Sequence, residues 1–149
     1  MTLLLDRIKE DMKIAMKSGE KFRLGVIRLI LAAIKQVEID ERITLDTERV
    51  IVVLDKMLKQ RRESIRQYRD AQREDLAKVE EAEIAVLLDY LPQALSESEV
   101  DLMVQAAVLE SGATSIKDMG KVMALLKSPM QGRADMSIVS AKIKAALPA

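Results

Sequence analysis

Apolar residues return every three or four positions through almost the whole chain, and this spacing constrains the fold more than any other feature. Such a spacing places side chains on one face of an α-helix, whereas a half-buried strand would require strict alternation. Short breaks, many of them marked by glycine, proline or a capping residue, divide the pattern into seven segments. The sequence therefore predicts an all-α fold without strands.

The predicted helices fall into two groups on either side of Pro92. Four helices precede it, at about 3–17, 21–40, 46–70 and 74–90, and three follow it, beginning at Ser96, at Ser115 and near Asp135. A proline disfavours the α conformation of the residue before it, so Leu91-Pro92 is expected to end the fourth helix. We expect an N-terminal helical domain over 1–92 and a three-helix tail domain over 93–149.

The second predicted helix, at about 21–40, is the most apolar of the seven. Apolar residues surround most of its circumference. A helix that is hydrophobic all round is typical of a buried position. The sequence therefore predicts that this helix lies at the centre of the N-terminal bundle.

Local signals mark the ends of the tail helices. Ser96 with Glu99 has the spacing of a capping box, and Ser115 with Asp118 is a variant of the same pattern. Ser128-Pro129 is expected to end the second tail helix, because the residue before a proline is disfavoured in the α region.

Composition excludes several kinds of chemistry. The chain contains no cysteine and no histidine, which excludes a disulfide framework, a thiolate nucleophile, a histidine base and ordinary zinc sites. The 24 basic and 24 acidic residues give zero net charge, so the overall charge does not indicate nucleic-acid binding. No apolar run reaches the length of a membrane span. We expect a cytoplasmic protein with no membrane partner, no metal site and no cofactor.

The tail carries a literal motif as well as a helical pattern. The motif consists of Asp118-Met119-Gly120-Lys121-Val122-Met123, Gly132-Arg133-Ala134-Asp135 and Val139-x-x-Lys142-Ile143-Lys144-x-x-Leu147. These residues resemble the tail domain of GatB, the B subunit of the tRNA-dependent amidotransferase. The resemblance extends from about Pro92 to Leu147, although Ala124 and Met136 stand where the family pattern often has glycine.

The N-terminal part carries motifs of the related YqeY-type proteins. They are Arg28-Leu29 with Ala33-Ile34-Lys35, Lys59-Gln60-Arg61-Arg62-Glu63-Ser64-Ile65 with Tyr68, Arg73-x-Asp75-Leu76, and Tyr90-Leu91-Pro92. The chain therefore resembles the GatB/YqeY family over nearly its whole length. The resemblance implies an all-α fold in two parts.

The resemblance also implies a function. In GatB-like proteins the tail contacts the body of the tRNA, so five tail residues become candidate nucleic-acid contacts: Lys121, Lys127, Arg133, Lys142 and Lys144. The implied protein is an accessory that binds tRNA or a tRNA–enzyme complex. Family transfer would also suggest a carbon–nitrogen ligase that uses glutamine as amide donor. The kinase and glutaminase parts of an amidotransferase are absent from this sequence, so we expect no catalytic activity.

Charge is segregated within the tail. Residues from Ser111 onward include six basic and two acidic residues, a net charge of +4, whereas Ser96–Glu110 carries four acids and no base. A basic patch is the electrostatic footprint of a nucleic-acid-binding protein. The alternative is an ordinary amphipathic surface whose lysine stems extend over apolar neighbours.

A second basic surface is predicted on the third helix, at about 46–70; we label this helix α3 and the surface the α3 ridge. Its members follow one another at intervals of three or four residues: Lys59, Arg62, Arg66, Arg69 and Arg73. All five share one face if the helix continues through Arg73. Residues 56–73 carry a net charge of +5 and residues 74–89 a net charge of −5. Three interpretations stay open: a surface that follows phosphates, two neighbouring antiparallel helices that neutralise each other, and two charged faces that are simply solvated.

The remaining side chains suggest few other activities. Three aromatic residues are too few to stack single-stranded bases, so any RNA contact is expected to follow backbone and shape. Glu80 and Glu83 share a helix face and Ser64 lies beside two arginines, without any catalytic motif around them. The nine methionines are expected mainly to fill the core. The alternative function is a protein-interaction module that docks through an apolar groove or the α3 ridge.

Overall fold

A computed structural model describes residues 3–148 of the chain. Every regular element in that range is helical, which confirms the predicted all-α class. The α-helices are α1 (Leu3–Ser18), α2 (Lys21–Glu41), α3 (Thr47–Asp70), α4 (Glu74–Leu88), α5 (Glu97–Ser111), α6 (Met119–Met130) and α7 (Met136–Ala146). One turn of 3₁₀-helix, Ile116–Asp118, directly precedes α6.

The chain divides into two compact units that adjoin in sequence at Leu91–Pro92. We call them the N-terminal unit, which contains α1–α4, and the C-terminal unit, which contains α5–α7. Each unit has a buried apolar cluster of its own. A separate hydrophobic core is the feature expected of a domain that can fold alone.

The core of the N-terminal unit is built from the inward faces of its four helices. α1 contributes Ile8, α2 contributes Ile27 and Ile30, α3 contributes Leu54 and α4 contributes Leu87, all of them fully buried. α3 and α4 form the most extensive helix pair and are joined by residues 71–73. Burying one such side chain contributes about 1.5–3 kcal/mol, so this cluster is the main source of the unit's stability.

The position of α2 differs from its prediction. Its inward face is buried, but the opposite face exposes Phe22 by 49%, Leu29 by 50% and Ile39 by 60%. The prediction of a helix enclosed at the centre of the bundle is therefore wrong. Apolar residues around the whole circumference of a helix do not show which of its faces will be covered. In this unit the three neighbouring helices cover only one side of α2.

The core of the C-terminal unit lies between its three helices. Val122 and Met130 of α6 and Val139 and Ile143 of α7 have no exposed surface, and Val104 of α5 is nearly as buried. The start of α5 is fixed by the predicted capping box, which is confirmed by two reciprocal hydrogen bonds. Ser96 Oγ accepts from the Glu99 N–H at 3.1 Å, and the Glu99 carboxylate accepts from the Ser96 N–H at 3.3 Å.

The second capping prediction is wrong. Ser115 makes no side-chain cap, and Asp118 Oδ2 instead accepts a hydrogen bond from the Thr114 N–H at 3.0 Å. The 3₁₀ turn separates Ser115 from the first residue of α6, so the predicted spacing does not place the serine at the start of that helix. The hydrogen bond from the Thr114 backbone holds the pKa of Asp118 below its usual value.

α6 also continues past its predicted end. The helix contains Pro129 and ends at Met130. A proline in the last turn removes only one terminal hydrogen bond, whereas burial of the Met130 side chain favours the extra residue of helix. The expectation that Ser128-Pro129 stops the helix is therefore wrong by two residues.

Tyr90 links the end of α4 to the first two helices. Its hydroxyl donates a hydrogen bond to Asp11 Oδ2 at 2.6 Å and accepts one from Arg23 Nη2 at 3.3 Å. The guanidinium of Arg7 lies 4.9 Å from the ring centroid, and Arg23 also donates to Asp89 at 2.8 Å. Burial, reinforced by the hydrogen bond to Asp11, raises the pKa of Tyr90 to about 12.

Alkaline titration is expected to show this raised pKa directly. In a Tyr68→Phe variant, Tyr90 is the only tyrosine, so phenolate absorbance should report a midpoint near 12. The folded pKa lies above the ordinary tyrosine value of 10.0, so this group's contribution to stability is complete below pH 10.0 and is lost as the pH rises towards 12. Adding Asp11→Asn should lower the midpoint. A midpoint at 10.0 while circular dichroism still shows helix would contradict the assignment.

Candidate nucleic-acid interface

The α3 ridge is shorter in the structure than in the sequence. α3 ends at Asp70, and Gln72 in the following turn has a left-handed φ of 59°. Arg73 therefore lies at the start of α4 and does not continue the row of α3. The condition under which five cations share one face is not met.

Most of the ridge arginines contact carboxylates. Arg69 binds Glu74 and Glu81 of α4, and the hydrogen bond to Glu74 raises the pKa of the Arg69 guanidinium. Arg66 lies 3.2 Å from Glu63 in its own helix. Within the ridge, α3 and α4 thus neutralise each other at Arg69, as one of the interpretations left open above predicts. Ion pairs at such exposed positions stabilise a protein only slightly.

Two ridge residues keep their charge available. Lys59 and Arg62 are exposed, and neither has an ion-pair partner among residues 3–148. Arg61, between them, points instead towards α4 and binds Glu83 at 2.8 Å, with 14% and 18% of the two side chains exposed. Burial, and secondarily the charge of Glu83, raises the pKa of neighbouring Glu80. The carboxylates considered as catalytic candidates therefore lie in an ion-pair cluster with Arg61.

Two of the predicted tail contacts hold the C-terminal unit together. Lys142 Nζ lies 2.7 Å from Asp101 and 3.3 Å from Glu97, and the hydrogen bond to Asp101 raises the pKa of the lysine. Arg133 Nε donates to the Gln93 carbonyl at 3.0 Å. These contacts tie α7 and the loop after α6 to α5 and to the segment before it.

The other predicted tail contacts are exposed. Lys121, Lys127 and Lys144 are open to solvent, and so is Lys117 in the 3₁₀ turn. Lys121 has a carboxylate 3.8 Å away, on Asp118, but 70% of the lysine side chain is exposed. The tail cations thus form two groups, one bound within the unit and one facing solvent.

Of the solvent-facing group, Lys117, Lys121 and Lys127 lie around two small residues on α6. Gly120 and Ala124 are exposed, and α-helical spacing puts Lys121 and Lys127 beside them on the side opposite the core. A Cβ atom built on Gly120 would meet nothing within 4 Å. We call the surface formed by Lys117, Gly120, Lys121, Ala124 and Lys127 the α6 face. It presents lysine charges around a strip of accessible helix backbone.

A cleft in the C-terminal unit was not predicted from the sequence. Leu95, Val100, Ile138 and Val139 supply its apolar lining, and Glu97, Asp135 and Lys142 lie at its polar side. Its parts come from α5, from α7 and from the residues before each helix. No local sequence pattern marks such a cleft, because its walls are distant along the chain. Among residues 3–148, no group of acidic side chains is arranged to hold a metal ion.

Comparison with known proteins identifies the family. The family model described as Yqey-like protein matches residues 5–147. The chain is 35% identical over 147 residues to a protein from Pyrenophora tritici-repentis that is named altered inheritance of mitochondria protein 41, mitochondrial. The match covers 95% of this chain and 80% of the relative. It is 32% identical over 143 residues to the protein of the same name from Lachancea thermotolerans, a match that covers 91% of this chain and 76% of that relative.

These names correct the predicted location. Both relatives are named as mitochondrial proteins, so the expectation of a cytoplasmic protein is wrong. That expectation came from the missing cysteines and apolar runs, and such features do not distinguish one disulfide-free compartment from another. Within residues 3–148, none of the helices combines the length and the apolar character needed to traverse a bilayer. The matched residues, the helical fold and the shared motifs together show that the chain is a member of the YqeY family.

Proposed function

We propose that this protein is a non-catalytic accessory that binds the phosphate backbone of a structured RNA, with tRNA as the first candidate. The observation that supports the proposal is the α6 face, where three exposed lysines surround Gly120 and Ala124. Lysines bind phosphates as point charges and release counterions when they do so. Small residues between them let an RNA backbone approach the helix closely.

The bound cations of the tail have a positioning role in this proposal. Lys142 and Arg133 hold α7 and the loop after α6 in place, and the charge of Lys142 is already paired with Glu97 and Asp101 in the free protein. Lys121, Lys127 and Lys144 remain as contacts from the predicted set. In the N-terminal unit, Lys59 and Arg62 are exposed and are further candidates for contacts with phosphates.

The mode of recognition follows from the side chains present. Reading of single-stranded bases depends on aromatic stacking, and the α6 face has no aromatic residue. Double-stranded RNA is bound mainly through its shape, its phosphates and its 2′-hydroxyls. We therefore expect salt-sensitive binding of folded RNA with little preference for sequence.

Binding to bulk tRNA and to mitochondrial tRNA across a series of salt concentrations tests the proposal. The variant Lys117→Gln/Lys121→Gln/Lys127→Gln is expected to bind about tenfold more weakly, and its salt slope should fall by about 3, one for each lost phosphate contact. Fluorescence anisotropy with labelled tRNA gives both quantities.

A matched control removes the same charge elsewhere. Lys9, Lys13 and Lys17 are exposed lysines of α1, and their replacement by glutamine should leave both the affinity and the slope nearly unchanged. Equal losses in the two triple variants would indicate a nonspecific charge effect. Absence of binding by the unaltered protein at low salt would refute the proposal.

A further inference from the structure

The exposed face of α2 carries a second regular pattern that RNA binding does not use. We propose that this face docks an acidic amphipathic helix of a partner protein. We call its apolar strip the α2 seam, defined by Phe22, Gly25, Leu29, Ala32, Gln36 and Ile39. The inference concerns the N-terminal unit and does not depend on RNA binding by the α6 face.

The seam has the spacing of a coiled-coil interface. Phe22, Leu29 and Gln36 follow one another at seven residues, and so do Gly25, Ala32 and Ile39, three positions further on. This is the a and d pattern of a heptad repeat, in which a partner helix inserts its side chains between those of the first. The seam is about 27 Å long at the helical rise per residue, enough for a partner helix of five turns.

The seam is open in the free protein. Phe22, Leu29 and Ile39 are exposed by 49%, 50% and 60% although each is a large apolar side chain. Between them, Gly25 and Ala32 are exposed, and a Cβ built on Gly25 would meet nothing within 4 Å. The distance between packed helices depends on the side chains at the contact, so these small residues permit a close approach.

Positive charge flanks one side of the seam. Lys21, Arg28 and Lys35 are spaced by seven residues and occupy the g positions of the same heptad. All three are exposed, and none has an ion-pair partner among residues 3–148. Asp40, which directly follows the last residue of the seam, accepts a hydrogen bond from Gln36 at 2.9 Å.

The same flank continues into a cleft between α1 and α2. Its floor is apolar, formed by Leu5, Met12, Leu31 and Ile34, and three lysines line it: Lys9, Lys13 and Lys35. The one carboxylate lining it, that of Glu38, accepts a hydrogen bond from the Leu45 N–H at 2.9 Å. Charge complementarity therefore calls for carboxylates on the partner, beside its apolar stripe.

Other occupants of the seam match it less well. A second copy paired in antiparallel fashion would set its Lys21, Arg28 and Lys35 against the same three cations. A helix lying on a membrane inserts large apolar side chains between cations on both flanks. The middle of this seam is instead glycine and alanine. Its second flank carries no row of cations, because Val26 and Ile30 on that side are buried in the core, so the seam does not match a membrane surface.

The test uses the full chain and two synthetic peptides. Each peptide is a stabilised amphipathic helix of about three heptads with leucine at a and d. One carries glutamate at the flanking positions and the other carries lysine. The acidic peptide is expected to bind at least about tenfold more tightly than the basic one, measured by fluorescence anisotropy.

Two variants of the seam are expected to bind the acidic peptide at least about tenfold more weakly than the unaltered protein does. Gly25→Leu obstructs the seam yet adds a better helix former in open space, so it should not unfold the unit. Arg28→Glu/Lys35→Glu reverses the flanking charge. Gly120→Leu and Lys127→Glu/Lys144→Glu are the matched controls in the C-terminal unit, and both should bind as the unaltered protein does.

Three results would overturn the inference. One is equal binding of the two peptides, or binding that Gly25→Leu does not change. Another is self-association of the unaltered chain in sedimentation that Gly25→Leu abolishes, since a second copy would then be the occupant. The third is binding to anionic vesicles through the seam without binding to the acidic peptide.

Discussion

Replacing Ile143 by alanine is expected to unfold the C-terminal unit while the N-terminal unit stays folded. Ile143 lies at the centre of the smaller core and has no exposed surface. Removing its buried carbons costs about 2–5 kcal/mol, through lost burial and the cavity left behind. A unit of this size buries only about 60% of its unfolded surface and is marginally stable, so the loss approaches its whole stability.

Hydrogen exchange measured by mass spectrometry checks this result unit by unit. Amides of α5–α7 should exchange rapidly in the variant, and amides of α1–α4 should keep their protection. Ile138→Ala is the matched control, because Ile138 is on the same helix and 56% exposed. That variant should be nearly as stable as the unaltered protein. Loss of protection in both units would contradict the prediction of separate domains over 1–92 and 93–149.

Replacing Arg61 by methionine is expected to destabilise the N-terminal unit by about 2 kcal/mol. The Arg61–Glu83 pair is 2.8 Å long and largely buried between α3 and α4. Without the guanidinium, Glu83 and neighbouring Glu80 would face each other without a cation. Glu83→Gln should cost less, within about 1 kcal/mol, because Arg61 keeps Glu80 as an interacting carboxylate.

The effect of Arg61→Met should depend on pH. Burial already raises the pKa of Glu80 above 4.5, and the charge of Arg61 opposes that rise. In the variant the folded pKa rises further above the unfolded value. The folded state then binds the proton more tightly, so the destabilisation should shrink as the pH falls through that folded pKa towards 4.5.

Urea denaturation at pH 7 and near pH 5 measures both parts of this prediction. Arg66→Met is the control, because Arg66 forms an exposed ion pair with Glu63 in which 70% of the arginine side chain is accessible. That variant should change the free energy of unfolding little at either pH. A loss of the same size for Arg61→Met and Arg66→Met would show that the buried pair has no special role.

Much of the local structure was predictable because its causes are local. The spacing of apolar residues and the capping box at Ser96 act over a few residues, and they place the helices nearly where the structure has them. The errors at Ser115 and Pro129 arose where a neighbouring turn or a buried side chain outweighed a local preference. The heptads of α2 were also present in the sequence, but its apolar character suggested burial.

The candidate site depended on contacts that no local pattern contains. Lys142 and Asp101 are 41 residues apart in sequence, and Arg61 and Glu83 are 22 residues apart. Such distant pairings decide which basic side chains are held in ion pairs and which are exposed to a ligand. The sequence alone determined the helical class, the approximate helix ends and the family, because periodicity, caps and motifs are properties of short segments. The tertiary structure alone decided which face of α2 is open and which lysines face solvent, because burial and ion pairing depend on helices brought together from distant parts of the chain.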